Sequence, residues 1–171
     1  MINQLYKEHA LHLKAKYPKF RIVKKEDSRL MRFLNIFLKW ITPGFMTHVT
    51  TTIGYTIYQP SSYIGTKTGY KINRHEEIHI EDYHKNPVWF TLSYLLVLPS
   101  IFTMRSHWEM RAYKTTLLVN HELHGSITDE TINWITNYFT GSMYFWMKPF
   151  RKAVRKELEL ERDKIYLNPQ I

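Results

Sequence analysis

Two histidines spaced four residues apart form the part of this sequence best suited to chemistry. They belong to the run His75-Glu76-Glu77-Ile78-His79. On an α-helix, residues i and i+4 lie on one face about a turn apart, so both imidazoles can bind a single metal ion. Glu76 lies beside that face, where its carboxylate can reach a water on the metal. The spacing therefore predicts a zinc site with an activating carboxylate.

A zinc ion that activates water needs a third protein ligand. Such a site has three protein ligands and a fourth position for water, whose pKa the metal lowers to near neutrality. The sequence contains no cysteine, so the ligand must be a histidine or an acid. The chain offers Glu109, about thirty residues beyond His79, on a second predicted helix.

The two motifs together resemble a known class of enzymes. The H-E-x-x-H run followed by Glu109 on a later helix is similar to the gluzincin class of zinc metallopeptidases. The pattern over residues 30–150 also looks like small, poorly characterised peptidases of phages and bacteria. The resemblance implies that His75, His79 and Glu109 bind zinc, that Glu76 is the general base, and that the substrate is a peptide or protein.

The sequence departs from other zinc peptidases in two respects. Lys85 stands where a metzincin has its third histidine, which excludes that class. The motif also leaves open which group stabilises the transition state. The candidates are Tyr113, His107, Arg111, His121 and His124, and for each of them ordinary packing or solvent exposure is the favoured interpretation.

The elements that must position these residues are predicted to be mostly helical. Residues 1–27 form a polar N-terminal arm, helical over 1–20, and a strand covers His48–Tyr58 with Gly54 as a candidate bulge. A second, weaker strand is predicted over Tyr63–Tyr70. Helices are predicted over about 73–84, 88–104, 105–120, 128–139 and 149–164. We expect one α+β, zincin-like domain over residues 1–171, with a small sheet or hairpin before the H-E-x-x-H helix.

An amphipathic helix is predicted between Ser28 and Pro43. Apolar residues recur there at helical spacing with arginine and lysine between them. The favoured interpretation places this helix on the domain core. The alternative is a basic amphipathic helix on a membrane surface.

The nineteen residues from Asn86 to Met104 carry no charge. An uncharged run of this length is at the threshold for a transmembrane helix. A straight helix of that length is about 28 Å long, so spanning would put His79 and Glu109 on opposite sides of the bilayer. We therefore expect a buried helix, or a helix pair that turns at Pro99, in the core of a soluble protein; the alternative is a membrane-embedded peptidase.

Composition and charge limit the remaining possibilities. The chain is 44% hydrophobic and 15% aromatic, which favours a folded domain, and its net charge is +9. Such a charge attracts nucleic acid or anionic lipid, but solvated helix faces explain it better than a specific anion site. The aromatic run Thr140–Pro149 favours core or pocket wall over base stacking. The opening residues lack a secretory pattern, so we expect a cytoplasmic or virion-associated protein.

A catalytically silent protein is the competing hypothesis. A phage structural or host-interaction protein could keep a zincin fold without turnover and bind partners through its basic surface. The presence of Glu76 favours the enzyme, because a purely structural metal site has no need of that carboxylate.

Overall fold

The computed structural model describes residues 2–95, 104–141 and 146–168. These residues are mostly helical and include a small three-stranded sheet, in agreement with the predicted α+β class. The chain divides into two compact units, Met1–His84 and Lys85–Ile171. The assignment of residues 1–171 to one domain stays a prediction.

The first unit contains the whole sheet. Its elements are the helices α1 (Ile2–Lys16), α2 (Arg29–Leu38) and α3 (Lys67–Lys85) and the strands β1 (Arg21–Lys24), β2 (Thr51–Ile53) and β3 (Thr56–Gln59). Strand β3 lies in the centre of the sheet, where it pairs with β1 in parallel and with β2 antiparallel. Both β1 and β2 are therefore edge strands.

The sheet differs from the prediction in three ways. The predicted strand over His48–Tyr58 is a hairpin of β2 and β3, and Gly54, with φ of +59°, lies in its turn rather than in a bulge. The predicted strand over Tyr63–Tyr70 is wrong. The hydroxyl of Thr66 accepts a hydrogen bond from the backbone N–H of Gly69, which caps α3 and starts the helix early. Strand β1 was not predicted.

The helix predicted over residues 1–20 is confirmed, but it is part of the core rather than a polar arm. Leu13 and Tyr17 are buried together with Phe20, Ile57 and Ile80. These side chains come from α1, the residues after it, β3 and α3. Helix α1 therefore forms one wall of the core on which α3 rests.

The amphipathic helix is confirmed as α2, but the favoured placement of its apolar face is wrong. Met31 is fully buried, whereas Phe37 is 61% exposed and Trp40 is 80% exposed. The helix thus buries one narrow side and leaves the wider apolar side in solvent.

The second unit is helical in its described part. It contains α4 (Pro87–Leu95), α5 (Arg105–His124), α6 (Asp129–Thr140) and α7 (Arg151–Leu167). Helix α5 ends at Gly125, which has φ of +71°, as expected for a glycine that caps a helix C-terminus. The core between α5, α6 and α7 is made by Leu117, Ile132, Ile135, Phe139, Val154 and Leu158.

The uncharged run is only partly described. Its first part is α4, and residues 96–103, with the turn predicted at Pro99, lie outside the described residues. The expected burial is wrong for Val88, which is 68% exposed, and for Trp89 and Leu92. Helix α4 is short and buries only one side, which carries Ser93, so the apolar residues on its other sides are exposed. Among the described helices, none is both long and apolar enough to cross a membrane.

The aromatic run over Thr140–Pro149 is also described in part, because residues 142–145 lie outside the described residues. Met147 is buried in the core of the second unit, as the predicted core role requires, whereas Trp146 is exposed.

Candidate metal centre

Helix α3 brings the two histidines of the motif together. The ring centroids of His75 and His79 are 5.1 Å apart, with the rings nearly perpendicular. His79 is buried and His75 is half-buried. The predicted i, i+4 arrangement on one helix is therefore confirmed.

The opposite side of α3 is held by α1. Glu77 accepts a hydrogen bond from Lys16 Nζ at 3.2 Å and lies 2.9 Å from His9 Nε2. Burial raises the pKa of Glu77, but the hydrogen bonds and charges of His9 and Lys16 outweigh burial and lower that pKa to about 2. Glu77 thus fixes the motif helix and is directed toward α1.

A buried network of polar side chains holds α3 against the sheet two residues before His75. Tyr6 donates a hydrogen bond of 2.7 Å to Gln59 Oε1, and Gln59 Nε2 donates one of 3.1 Å to Asn73 Oδ1. These three residues come from α1, β3 and α3 and are buried. Because buried polar groups are costly to leave unpaired, these hydrogen bonds specify how α3 lies on the sheet.

Glu109, the predicted third ligand, lies in the first turns of α5 and is 2% exposed. Tyr94 on α4 donates a hydrogen bond of 2.5 Å to Glu109 Oε1. Trp108 Nε1 also donates to Ser93 Oγ at 3.1 Å, so adjacent residues of α4 and α5 are linked in register. Sequence reasoning missed Tyr94, although a tyrosine in an otherwise apolar helix is a signal that its hydroxyl has a partner.

The three predicted ligands form one group. One ligand atom from each of His75, His79 and Glu109 lies within 4.8 Å of the other two. Two imidazole nitrogens and one carboxylate oxygen are a donor set that zinc takes in sites that keep a position for water. Among the described residues, this group of histidines and acids could hold a metal ion, and its donors fit zinc.

Glu76, the predicted general base, is half-buried on α3 next to His75. The structure adds a cation to its surroundings, because the ammonium of Lys25 interacts electrostatically with Glu76. Lys25 is fully buried and donates to the carbonyl of Val49 at 2.7 Å and to Thr51 Oγ1 at 3.0 Å. Burial lowers the pKa of Lys25 to about 8, against the opposing effect of the Glu76 charge. No local sequence pattern marks Lys25 as buried.

The candidate transition-state groups have different surroundings. Tyr113 is buried, and its ring packs against Trp134, Tyr138 and Phe139. The ring of His121 packs against Tyr166, and His124 is exposed at the end of α5. His107 and Arg111 line a small cavity together with Ser106, Met110, Lys114, Lys148 and Glu157. A catalytic role for any of these groups stays a prediction.

Comparisons with protein-family models, with curated proteins and with solved structures found no match to this chain. The resemblance to gluzincins rests on His75, Glu76, His79 and Glu109 themselves.

Proposed function

We propose that this protein is a zinc-dependent peptidase of the gluzincin type. The observation that carries the proposal is the group formed by His75, His79 and Glu109, whose ligand atoms lie within 4.8 Å of one another. The same helix turn presents Glu76 directly after the first ligand. A metal-ligand set combined with an adjacent carboxylate is what hydrolysis by an activated water requires.

In this proposal each of the chain's own residues has a defined task. His75, His79 and Glu109 would hold the zinc, which supplies Lewis acidity that activates water and polarises the scissile carbonyl. Glu76 accepts a proton from the attacking water and later gives it to the departing amine. Tyr94 holds the carboxylate of Glu109 in one orientation through its hydrogen bond.

The substrate in this proposal is an extended peptide bound along the edge strand β2. Thr51–Ile53 pairs with β3 on one side and lies at the end of the strand order. An extended peptide can add to such an edge through backbone hydrogen bonds. Lys25 holds Thr51 in this strand through its ammonium, so the edge is anchored from within the fold.

A catalytically silent binding protein is the second candidate, favoured by the exposed apolar side of α2. Surfaces of this kind mark interaction sites and do not themselves require turnover. The two candidates differ in whether the metal group acts on peptide bonds.

Hydrolysis of a mixed peptide library by the zinc-loaded chain, with and without a chelator, tests the proposal. We expect cleavage that the chelator abolishes and that Glu76→Gln reduces by about 10²–10⁴-fold with the metal retained. The matched control is Glu8→Gln, because Glu8 is an exposed glutamate on α1. Full turnover by Glu76→Gln with zinc bound would reject the mechanism, and no cleavage by the wild-type chain would favour the binding protein.

A further inference from the structure

Helix α2 and the residues after it carry a continuous apolar surface in solvent. The exposed apolar side chains within α2 fall on one side of the helix at a spacing of about 100° per residue, and two more follow in the turn after the helix. Met31 faces the opposite way and is buried in the first unit. We refer to this exposed surface as the α2 stripe; it consists of Leu30, Phe33, Ile36, Phe37, Trp40 and Ile41.

The charge around the α2 stripe has one sign. Arg29, Arg32 and Lys39 are exposed, and the sequence contains no acidic residue from Arg29 through His75. Arg32 and Lys39 are seven residues apart, so both lie along the same flank of the stripe. The Lys39 ammonium lies 5.2 Å from the centroid of the Trp40 ring, which places a cation beside the most exposed aromatic side chain of the stripe.

Two acids, Glu26 and Asp27, precede α2. Glu26 accepts hydrogen bonds from the backbone N–H and the hydroxyl of Ser61, both at 3.0 Å. Its carboxylate is therefore held by the turn before α3, and the acids Glu26 and Asp27 both lie before the first turn of α2.

We propose that α2 binds in the surface of a bilayer that contains anionic phospholipid, with the α2 stripe in the acyl-chain boundary and the basic flank at the headgroups. Amphipathic helices with lysine and arginine beside an apolar face of tryptophan, phenylalanine and leucine bind membranes in this way. Tryptophan favours the boundary between headgroups and acyl chains, where Trp40 and Lys39 would lie. This inference does not depend on the proposed peptidase activity.

The observations favour a bilayer over a protein occupant. A second copy of this chain would bring two basic flanks together without an acidic residue from either α2, and like charges oppose that contact. A ten-residue helix is also too short to span a bilayer, so α2 would lie in the membrane plane.

Flotation of the full chain with lipid vesicles tests the proposal. The vesicles contain phosphatidylcholine alone or with about 30% phosphatidylglycerol. We expect binding to the anionic vesicles at least about tenfold above binding to the neutral ones. Replacement of two stripe residues, Phe37→Ser with Trp40→Ser, should reduce binding by about tenfold or more without lowering the unfolding temperature, since both side chains are exposed.

The matched control replaces two exposed apolar residues of α4, Trp89→Ser with Leu92→Ser, and should keep binding within about twofold of wild type. A charge variant, Arg32→Gln with Lys39→Gln, should lose the preference for anionic vesicles. The assignment would be overturned by absence of wild-type binding, or by equal loss in the α4 control. It would also be overturned if sedimentation equilibrium showed a wild-type dimer that the stripe variant dissociates and that does not bind vesicles.

Discussion

The hydroxyl of Tyr94 donates a hydrogen bond of 2.5 Å to the carboxylate of Glu109, and both groups lie in the second unit. This hydrogen bond fixes the position of one carboxylate oxygen and the rotamer of Glu109 before any metal ion binds. Partners of this kind orient the groups that hold metals and influence affinity strongly. Tyr94 is thus a positioning residue of the candidate metal centre.

Replacement of Tyr94 by phenylalanine should weaken zinc binding by about 10–100-fold, because Glu109 loses the donor that orients it. Competition with a chromogenic chelator measures the affinity. The matched control is Tyr166→Phe, which removes a hydroxyl that accepts from the backbone N–H of Ile127 and does not contact Glu109. Unchanged affinity in Tyr94→Phe would show that the hydrogen bond does not orient a ligand.

Glu77→Gln should destabilise the fold by roughly 1–3 kcal/mol, because a half-buried carboxylate bound to His9 and Lys16 is replaced by a neutral amide. Urea unfolding measures this change. The zinc affinity of the folded variant should stay within a few-fold of wild type, because Glu77 is directed toward α1. Loss of zinc equal to that of a His79→Ala variant would contradict this role for Glu77.

Gly69→Ala should be severely destabilising. A Cβ at this position would lie 1.9 Å from the carbonyl oxygen of Tyr63, so α3 and the preceding turn would have to separate. We expect a loss of about 3 kcal/mol or more, or failure to fold. Gly125→Ala is the matched control, since nothing lies within 4 Å of its Cβ. Its positive φ alone should cost about 1–2 kcal/mol. Equal thermal stability of the two variants would contradict the close approach at Gly69.

Lys25 should make stability rise with pH between about 8 and 10.5. Its pKa is lowered to about 8 in the fold from an ordinary value of 10.5, so the protonated form is disfavoured there. Below pH 8 the folded chain carries the full free-energy cost of a buried, protonated Lys25. As the pH rises, the folded chain loses this proton while the unfolded chain keeps its own, so the cost disappears and the fold gains stability. The full difference corresponds to at most about 3 kcal/mol. The contribution of Lys25 is the difference between the unfolding free energies of the wild type and Lys25→Met, measured across this pH range. If that difference did not change with pH, the prediction would be contradicted.

Local pattern predicted those parts of the fold that depend on local physics. The i, i+4 histidines, the start of α6 after Thr128, and the amphipathic character of α2 all follow from spacing and capping. The hairpin turn at Gly54 was mistaken for a bulge, because one glycine in a β-branched run is compatible with both.

What sequence reasoning missed depends on contacts between distant residues. Strand β1 exists because it pairs with β3, and each residue of β1 lies about thirty-five positions before its partner in β3. Lys25 can be buried because the carbonyl of Val49 and the hydroxyl of Thr51 accept hydrogen bonds from its ammonium. The exposed side of α2 was assigned to the core because an amphipathic pattern shows that a helix has an apolar side, without showing what covers it.

Anomalous scattering at the zinc edge, measured on crystals of the chain, would locate bound zinc. This measurement is the most direct test of the metal centre assigned to His75, His79 and Glu109. We expect one zinc per chain, bound by His75, His79 and Glu109 at about 2.0–2.2 Å from each ligand atom. Zinc bound by other side chains, or bound by the two histidines without Glu109, would contradict the assigned centre.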